Sequence, residues 1–304
     1  MSTLYRFEPV AACNMCGTPA ADARVLGMRM NRSQGMRPRA ARGTAITVVR
    51  CGHCGLIYPD PMPLPASLDD HYAMGSEDYF VDDMRSFGQT SPERIERYRD
   101  LRRFLPADRT AKAIDVGVGT GSSMRAMIEA GFDVFGFEPV EQFRERAVEA
   151  LGLAPERILA AGIDDAEFPA GEFDMVSFGA VLEHLYDPAA SIEKVLRWVR
   201  PGGIVYAEVP NARHLMSRVI NAFFAVQRAN MVTHLSPMHS PFHIYEFDPR
   251  SFRRHGAKAG YELAEVQYEI GTVRQVPAFT HGVFRFLMRA GKSGLQMHVV
   301  LKKC

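Results

Sequence analysis

Ala113-Ile114-Asp115-Val116-Gly117-Val118-Gly119-Thr120-Gly121-Ser122-Ser123 is the stretch from which the fold can be read. Ile114 and Val116 belong to a short apolar strand, and Met124, Met127 and Ile128 recur at the spacing of one helix face. Three glycines at alternate positions let the backbone turn tightly between strand and helix, with no Cβ in the way of a ligand. The helix start then aims N–H groups and a partial positive charge at the same place. Further on, Gly131-Phe132-Asp133-Val134-Phe135-Gly136-Phe137-Glu138 gives a second strand ending in a carboxylate. A strand–helix–strand nucleotide site needs an acceptor for ribose hydroxyls at about that point. The glycines follow Gly-x-Gly-x-Gly, not the Gly-x-Gly-x-x-Gly of the dinucleotide fingerprint, which argues against a nicotinamide-dependent dehydrogenase.

Outward from this stretch, strands are expected at 113–116, 134–137, 157–160, 175–178 and 204–209. Helices are expected between them at about 123–130, 141–151 and 191–199, and the last two strands at 261–270 and 297–302. Such alternation predicts an α/β fold: a Rossmann-like, seven-stranded, mostly parallel sheet with helices on both faces. An amphipathic helix is expected over 93–105, after Ser91-Pro92. The apolar stretch 216–231 reads as a helix that serves as lid, dimer face or core.

The 304 residues, 47% apolar and 23% charged, suit one large α/β domain with a small appendage. A formal net charge of +1 gives no whole-molecule attraction to nucleic acid or to an acidic membrane. No apolar run reaches the length of a membrane span, and the first residues lack a signal-type apolar core. A cytoplasmic protein without a membrane partner is therefore expected.

Four of the five cysteines form two pairs, Cys13-x-x-Cys16 and Cys51-x-x-Cys54. In a reducing compartment such pairs read as ligands of a structural Zn2+ before disulfides or redox centres. Between them, Arg24, Arg29, Arg32, Arg37, Arg39, Arg42 and Arg50 occur without any acidic residue from Ala23 to Pro59. This run is either a solvated loop or an anion-binding surface for RNA or for a nucleotide or carrier phosphate. Pro59, Pro61, Pro63 and Pro65 read as a stiff extended linker. The expected organisation is a zinc module with linker (1–65), a lid and leading helices (66–110) including the aromatic, acidic segment 70–80, and a main domain (111–304) with a substrate-side insertion at about 211–250.

From Ala113 to about Asn211 the chain resembles class I S-adenosylmethionine-dependent methyltransferases, with "DVGVGTG", "GFEP", "FDMVSFGAVLEH" and "RPGG" in order. The two Cys-x-x-Cys pairs, "CGLIYPDPMP" and "HIYEFDPRSF" resemble a narrower subgroup in which a zinc-binding amino-terminal module precedes a methyltransferase acting on sugars or natural-product intermediates. The resemblance implies that Gly117, Gly119 and Gly121 admit the cofactor to the backbone, that Asp115 holds the loop and orients the cofactor amino group, and that Glu138 accepts from the ribose. It also implies Asp164 and Ile163 at the adenine, and Phe178 beside the pocket. Substrate choice is expected in 25–45 and 223–236, where the resemblance is loose.

Methyl transfer needs alignment, exclusion of water and removal of a proton where the nucleophile carries one. His184, His243 and Tyr245 are the base candidates, with His214, His234 and His239 behind them. The leading expectation is methylation of a small molecule; an RNA methyltransferase gripping phosphate with its arginines is the alternative. A homodimer is also compatible with the sequence.

Overall fold

The computed structural model of the protein describes residues 5–31, 44–66, 87–271 and 276–304. The expected lid segment 70–80, and Arg32, Arg37, Arg39 and Arg42, lie outside the described residues. The chain begins with β1 (Tyr5–Glu8), β2 (Ala23–Met30), β3 (Ala45–Cys51), β4 (Ile57–Pro59) and β5 (Met62–Pro65). β2, β3 and β4 form an antiparallel sheet, and β1 pairs with β5. The proline-rich stretch is thus a paired strand rather than a free linker, with Met62 opposite Glu8 and Pro65 opposite Tyr5. Alternate prolines permit this because half the N–H groups of a two-stranded ribbon face away from the partner.

The main sheet holds β6 (Lys112–Val116), β7 (Asp133–Phe137), β8 (Ile158–Leu159), β9 (Phe173–Gly179), β10 (Val199–Pro210), β11 (Tyr261–Glu269) and β12 (Gln296–Lys303). Their order is 11-12-10-9-6-7-8, with β12 antiparallel to both its neighbours and the remaining pairs parallel. The described α-helices are α1 (Pro92–Leu101), α2 (Ser122–Glu129), α3 (Glu141–Leu151), α4 (Pro188–Trp198), α5 (Leu215–Val226), α6 (Pro249–Ala259) and α7 (His281–Ala290). The Rossmann-like, seven-stranded sheet is therefore as expected, and the element boundaries differ in informative ways. α4 begins three residues early because the Asp187 carboxylate accepts the Ala190 N–H at 2.9 Å, with Pro188 in the first turn. α6 was not expected, although Asp248, Pro249 and Gly260 (φ +79°) supply its cap, first turn and stop.

Apolar side chains fill both faces of the sheet. On one, Trp198 packs edge-on against Phe137 and Phe168; the other buries Tyr98, Leu101, Met124 and Met127. The amino-terminal module extends the first face: Met15, Leu56 and Tyr58 share a core with Tyr245, Phe247 and Phe252. Isolated bridges from Ile57 to Glu246 and from Met28 to Met231 join it to the insertion. Burial of each such large apolar side chain contributes about 2–3 kcal/mol, so module and main domain stabilise one another. β6 lies between β7 and β9, and there the strand order reverses. In an open α/β sheet the ligand crevice lies beyond the carboxyl ends of the strands at that point.

Candidate active site

Five residues connect β6 to α2. Gly117, Gly119 and Gly121 adopt φ of +67°, +53° and +79°, a region that side chains disfavour. Glu138, just past β7 and buried, pins this turn. Its Oε2 accepts the Gly119 N–H at 2.9 Å and its Oε1 accepts the Val140 N–H at 3.0 Å. Burial raises the pKa of Glu138, opposed by these two hydrogen bonds. Beneath the turn, Asp115 is buried and its Oδ1 has no hydrogen-bond partner among the described residues. Desolvation pushes its carboxyl up to about 8, with Ser177 beside it holding the value down. The Ser177 hydroxyl in turn pairs with the Tyr98 hydroxyl at 2.8 Å.

A cavity of about 350 Å³ opens over the glycine turn. Gly117, Gly119, Glu138, Ile163 and His184 lie in its wall. Of the other expected contacts, Asp115 sits behind the wall, Gly121 caps α2, Phe178 is wholly in the core, and Asp164 is exposed beside Ile163. The sequence reading missed Arg94, Phe143 and Val181, which also face the cavity. Arg94 comes from α1 and donates to the Ser122 hydroxyl at 3.0 Å, with Glu208 at 3.7 Å. No motif announces Arg94, whereas Val140 and Phe143 follow directly on the Glu138 strand and could have been found there. Ala180, at φ +59°, holds the loop after β9 in a conformation costly for any residue with a side chain.

The five candidate histidines separate by environment. His214 pairs with Ser217, His234 with the largely covered Glu246 carboxylate at 2.5 Å, and His239 with the Arg29 guanidinium at 3.3 Å. Only His184 and His243 meet, ring on ring at 4.9 Å in an edge-to-face arrangement. Between them Glu183, missed from sequence, brings a wholly buried carboxylate to 3.7 Å from His243 Nε2. One nitrogen or oxygen from each of the three lies within 4.8 Å of the others. Burial depresses the pKa of His243 to about 4, so its ring is neutral at neutral pH. Tyr245 stands apart from the cavity: it is buried, donates its hydroxyl to the Tyr186 carbonyl at 3.1 Å, and has its pKa raised by desolvation.

At the amino-terminal module, Cys13, Cys16, Cys51 and Cys54 bring four buried free thiols together. Cys13 Sγ lies 3.5 Å from Cys54 Sγ, and Cys16 Sγ 3.5 Å from Cys51 Sγ. Two described arginines of the basic run face inward. Arg29 donates to the Val232 carbonyl, and Arg50 donates to the Ala212 carbonyl at 2.5 Å. They tie the module to the insertion.

Comparison with known proteins agrees with this geometry. The family described as a methyltransferase domain matches residues 91–266, over half of the chain. A ubiquinone biosynthesis O-methyltransferase of Aromatoleum aromaticum is 31% identical over 166 residues, covering 51% of this chain and 65% of the relative. One from Methylococcus capsulatus is 35% identical over 105 residues, covering 33% of this chain and 44% of the relative. The chain thus spans less than two-thirds of the length of each. Among solved structures, a methyltransferase in complex with the Haloferax volcanii Trm112 methyltransferase activator aligns with a TM-score of 0.50 at 18% identity, covering 77% of this chain and 96% of that one. The glycine turn with its buried acid, the reversal point of the sheet and the match across residues 91–266 together place this chain in the methyltransferase-domain family.

Proposed function

We propose that the protein transfers the methyl group of S-adenosylmethionine to a hydroxyl of a small-molecule acceptor, of the sugar, nucleotide-linked sugar or natural-product class. The observation that carries this reading is the cavity over the glycine turn, with both Glu138 and His184 in its wall. The groups present fit that cofactor. The turn leaves backbone unobstructed, the orphaned Oδ1 of Asp115 awaits a donor, and Glu138 offers acceptors to a vicinal diol. Gly117 and Gly119 would border the amino-acid end of the cofactor while Gly121 starts the helix behind them, Glu138 would hold the ribose, and Ile163 with Asp164 would meet the adenine. The cofactor supplies a methyl carbon already activated by a sulfonium. What is left to the chain is to align the acceptor, exclude water and take up the proton. His184 in the wall accepts that proton, and the neutral His243 ring against it fixes its orientation. Tyr245, committed to the Tyr186 carbonyl, packs rather than deprotonates.

The relatives named above as O-methyltransferases support oxygen as the acceptor atom. The inward pairing of Arg29 and Arg50 offers nothing to the RNA alternative. The thiol cluster suits a structural Zn2+, since a tetrahedron with bonds of about 2.3 Å has sulfurs about 3.8 Å apart, close to the 3.5 Å found here. Native mass spectrometry of the purified protein with added S-adenosylmethionine tests the reading. A bound cofactor or its demethylated product, together with one zinc ion, is expected; a protein that stays empty overturns it.

A further inference from the structure

No acidic residue occurs from Val209 to Tyr245, nor from Ile270 to the last residue, Cys304. These two stretches contain α5 and α7, which pack through Met216 and Met288, while the Leu215 N–H donates to the Ser293 carbonyl at 3.0 Å. Each helix leaves an apolar ridge outside that seam. On α5 it is Val219, Phe223 and Val226; on and before α7 it is Phe279, Val283 and Phe286. Phe279 is 87% exposed, Val226 83% and Phe286 67%. On α5 the exposed positions repeat three and four apart, one residue round from the buried Met216, Ile220 and Phe224, so they form one stripe. Arg218, Arg228, Arg285, Arg289 and Lys292 are exposed on or just past the same two helices. Single exposed apolar residues are ordinary, but six of them on and beside two helices that pack together mark an interaction surface.

We propose that the α5–α7 face docks on an anionic lipid bilayer, with its aromatic and aliphatic side chains entering the headgroup layer and its arginines pairing with lipid phosphate. Charge selects this occupant over a second copy of the chain, because two such faces would bring only like charges together. A basic residue near an anionic membrane surface strengthens binding about fivefold, and apolar side chains anchor the helix in the interface. The net charge of +1, which argued against a membrane at the level of sequence, hides this segregation. The position is also apt. α5 leaves the carboxyl end of β10, and Gln296 at the start of β12 pairs with Pro210 there. Gly179, in the cavity wall, ends the neighbouring β9 opposite Glu208. The docking face and the cavity thus share one rim of the sheet.

The inference goes beyond methyl transfer, and vesicle binding is read with neither cofactor nor acceptor present, so the two readings fail separately. The test is flotation of the whole protein with vesicles of phosphatidylglycerol and phosphatidylcholine, against vesicles of phosphatidylcholine alone. Binding at least about tenfold tighter to the anionic vesicles, and weakened by salt, is expected. Phe279→Ser with Phe286→Ser should abolish it, and Arg285→Gln with Arg289→Gln should weaken it about tenfold or more. All four substitutions are at exposed positions, and unchanged melting and S-adenosylmethionine affinity would show that the fold is intact. Absence of binding to anionic vesicles overturns the proposal. So does a wild-type dimer in sedimentation that Phe286→Ser dissociates, which would assign the face to a second copy.

Discussion

His243 Nε2 stands 3.7 Å from Oε1 of Glu183, a carboxylate with no exposed surface and, among the described residues, no hydrogen-bond partner on either oxygen. Desolvation drives the two groups in opposite directions. Glu183 is pushed up to about 8, helped by the charge of Glu208, and His243 down to about 4. At neutral pH the pair is chiefly a carboxylic acid beside a neutral imidazole. That arrangement keeps the His184 side of the cavity free of fixed charge while leaving nitrogen lone pairs available to a proton.

Glu183→Gln should therefore alter the pH dependence of stability. In the wild type, the folded state holds the Glu183 proton up to about pH 8, whereas the unfolded chain releases it near the ordinary value of about 4.3. Between those values the native state binds more protons, so its stability falls as pH rises, by up to about 1.4 kcal/mol per unit, and levels off above the window. Glutamine does not titrate. Urea midpoints should show the variant gaining on the wild type from pH 5 to pH 8, and parallel profiles would refute the buried-acid assignment.

His184→Ala should slow methyl transfer about 10²- to 10⁴-fold, the range for loss of a positioned base. Its affinity for S-adenosylmethionine should stay within a factor of about three, since the glycine turn and Glu138 are untouched. Calorimetry and single-turnover assays separate the two effects. Full activity in the variant would reduce His184 to a packing residue.

Gly119→Arg should abolish cofactor binding. The residue has φ +53°, so any side chain there costs about 1–2 kcal/mol in backbone strain. Its N–H is also the donor that Glu138 holds, and the new side chain would enter the cavity. Glu138→Ala should weaken binding less, about 10- to 100-fold, by freeing the turn and removing the ribose acceptor. Unchanged cofactor affinity in the arginine variant would displace the pocket from this loop.

Much of this site was legible in the chain because its parts are local. A strand, three glycines and a helix follow one another within eleven residues, and Glu138 ends the next strand. The paired cysteines were equally plain from spacing. What escaped the sequence depends on long-range packing. Arg94 reaches the cavity from α1, and Glu183 could be distinguished from a surface acid only once the insertion covered it. Five histidines crowd one region of the sequence, and only the fold gave His214, His234 and His239 their separate neighbours. The proline run misled for a related reason: composition describes stiffness, while the partner strand β1 lies more than fifty residues earlier in sequence.

Removal of the metal proposed at the four thiols should divide the molecule energetically without emptying the cofactor site. The thiols belong to the core that includes Tyr58, Tyr245 and Phe252, whereas Tyr98, Met124 and Ala147 occupy a separate cluster on the far face of the sheet. Among the described residues, every one in the cavity wall comes from Arg94 onward, outside the amino-terminal module. A structural zinc contributes folding energy directly, because the unfolded chain has no preformed site. A chelator, or Cys54→Ser, should therefore lower the first calorimetric transition by many degrees and expose buried tyrosines. S-adenosylmethionine affinity should change by no more than about tenfold, the loss arising only where β4 and Arg50 brace the insertion. A melting curve indifferent to the chelator would remove the metal from the account. Complete loss of cofactor binding would show instead that the module and the main domain fold as one cooperative unit.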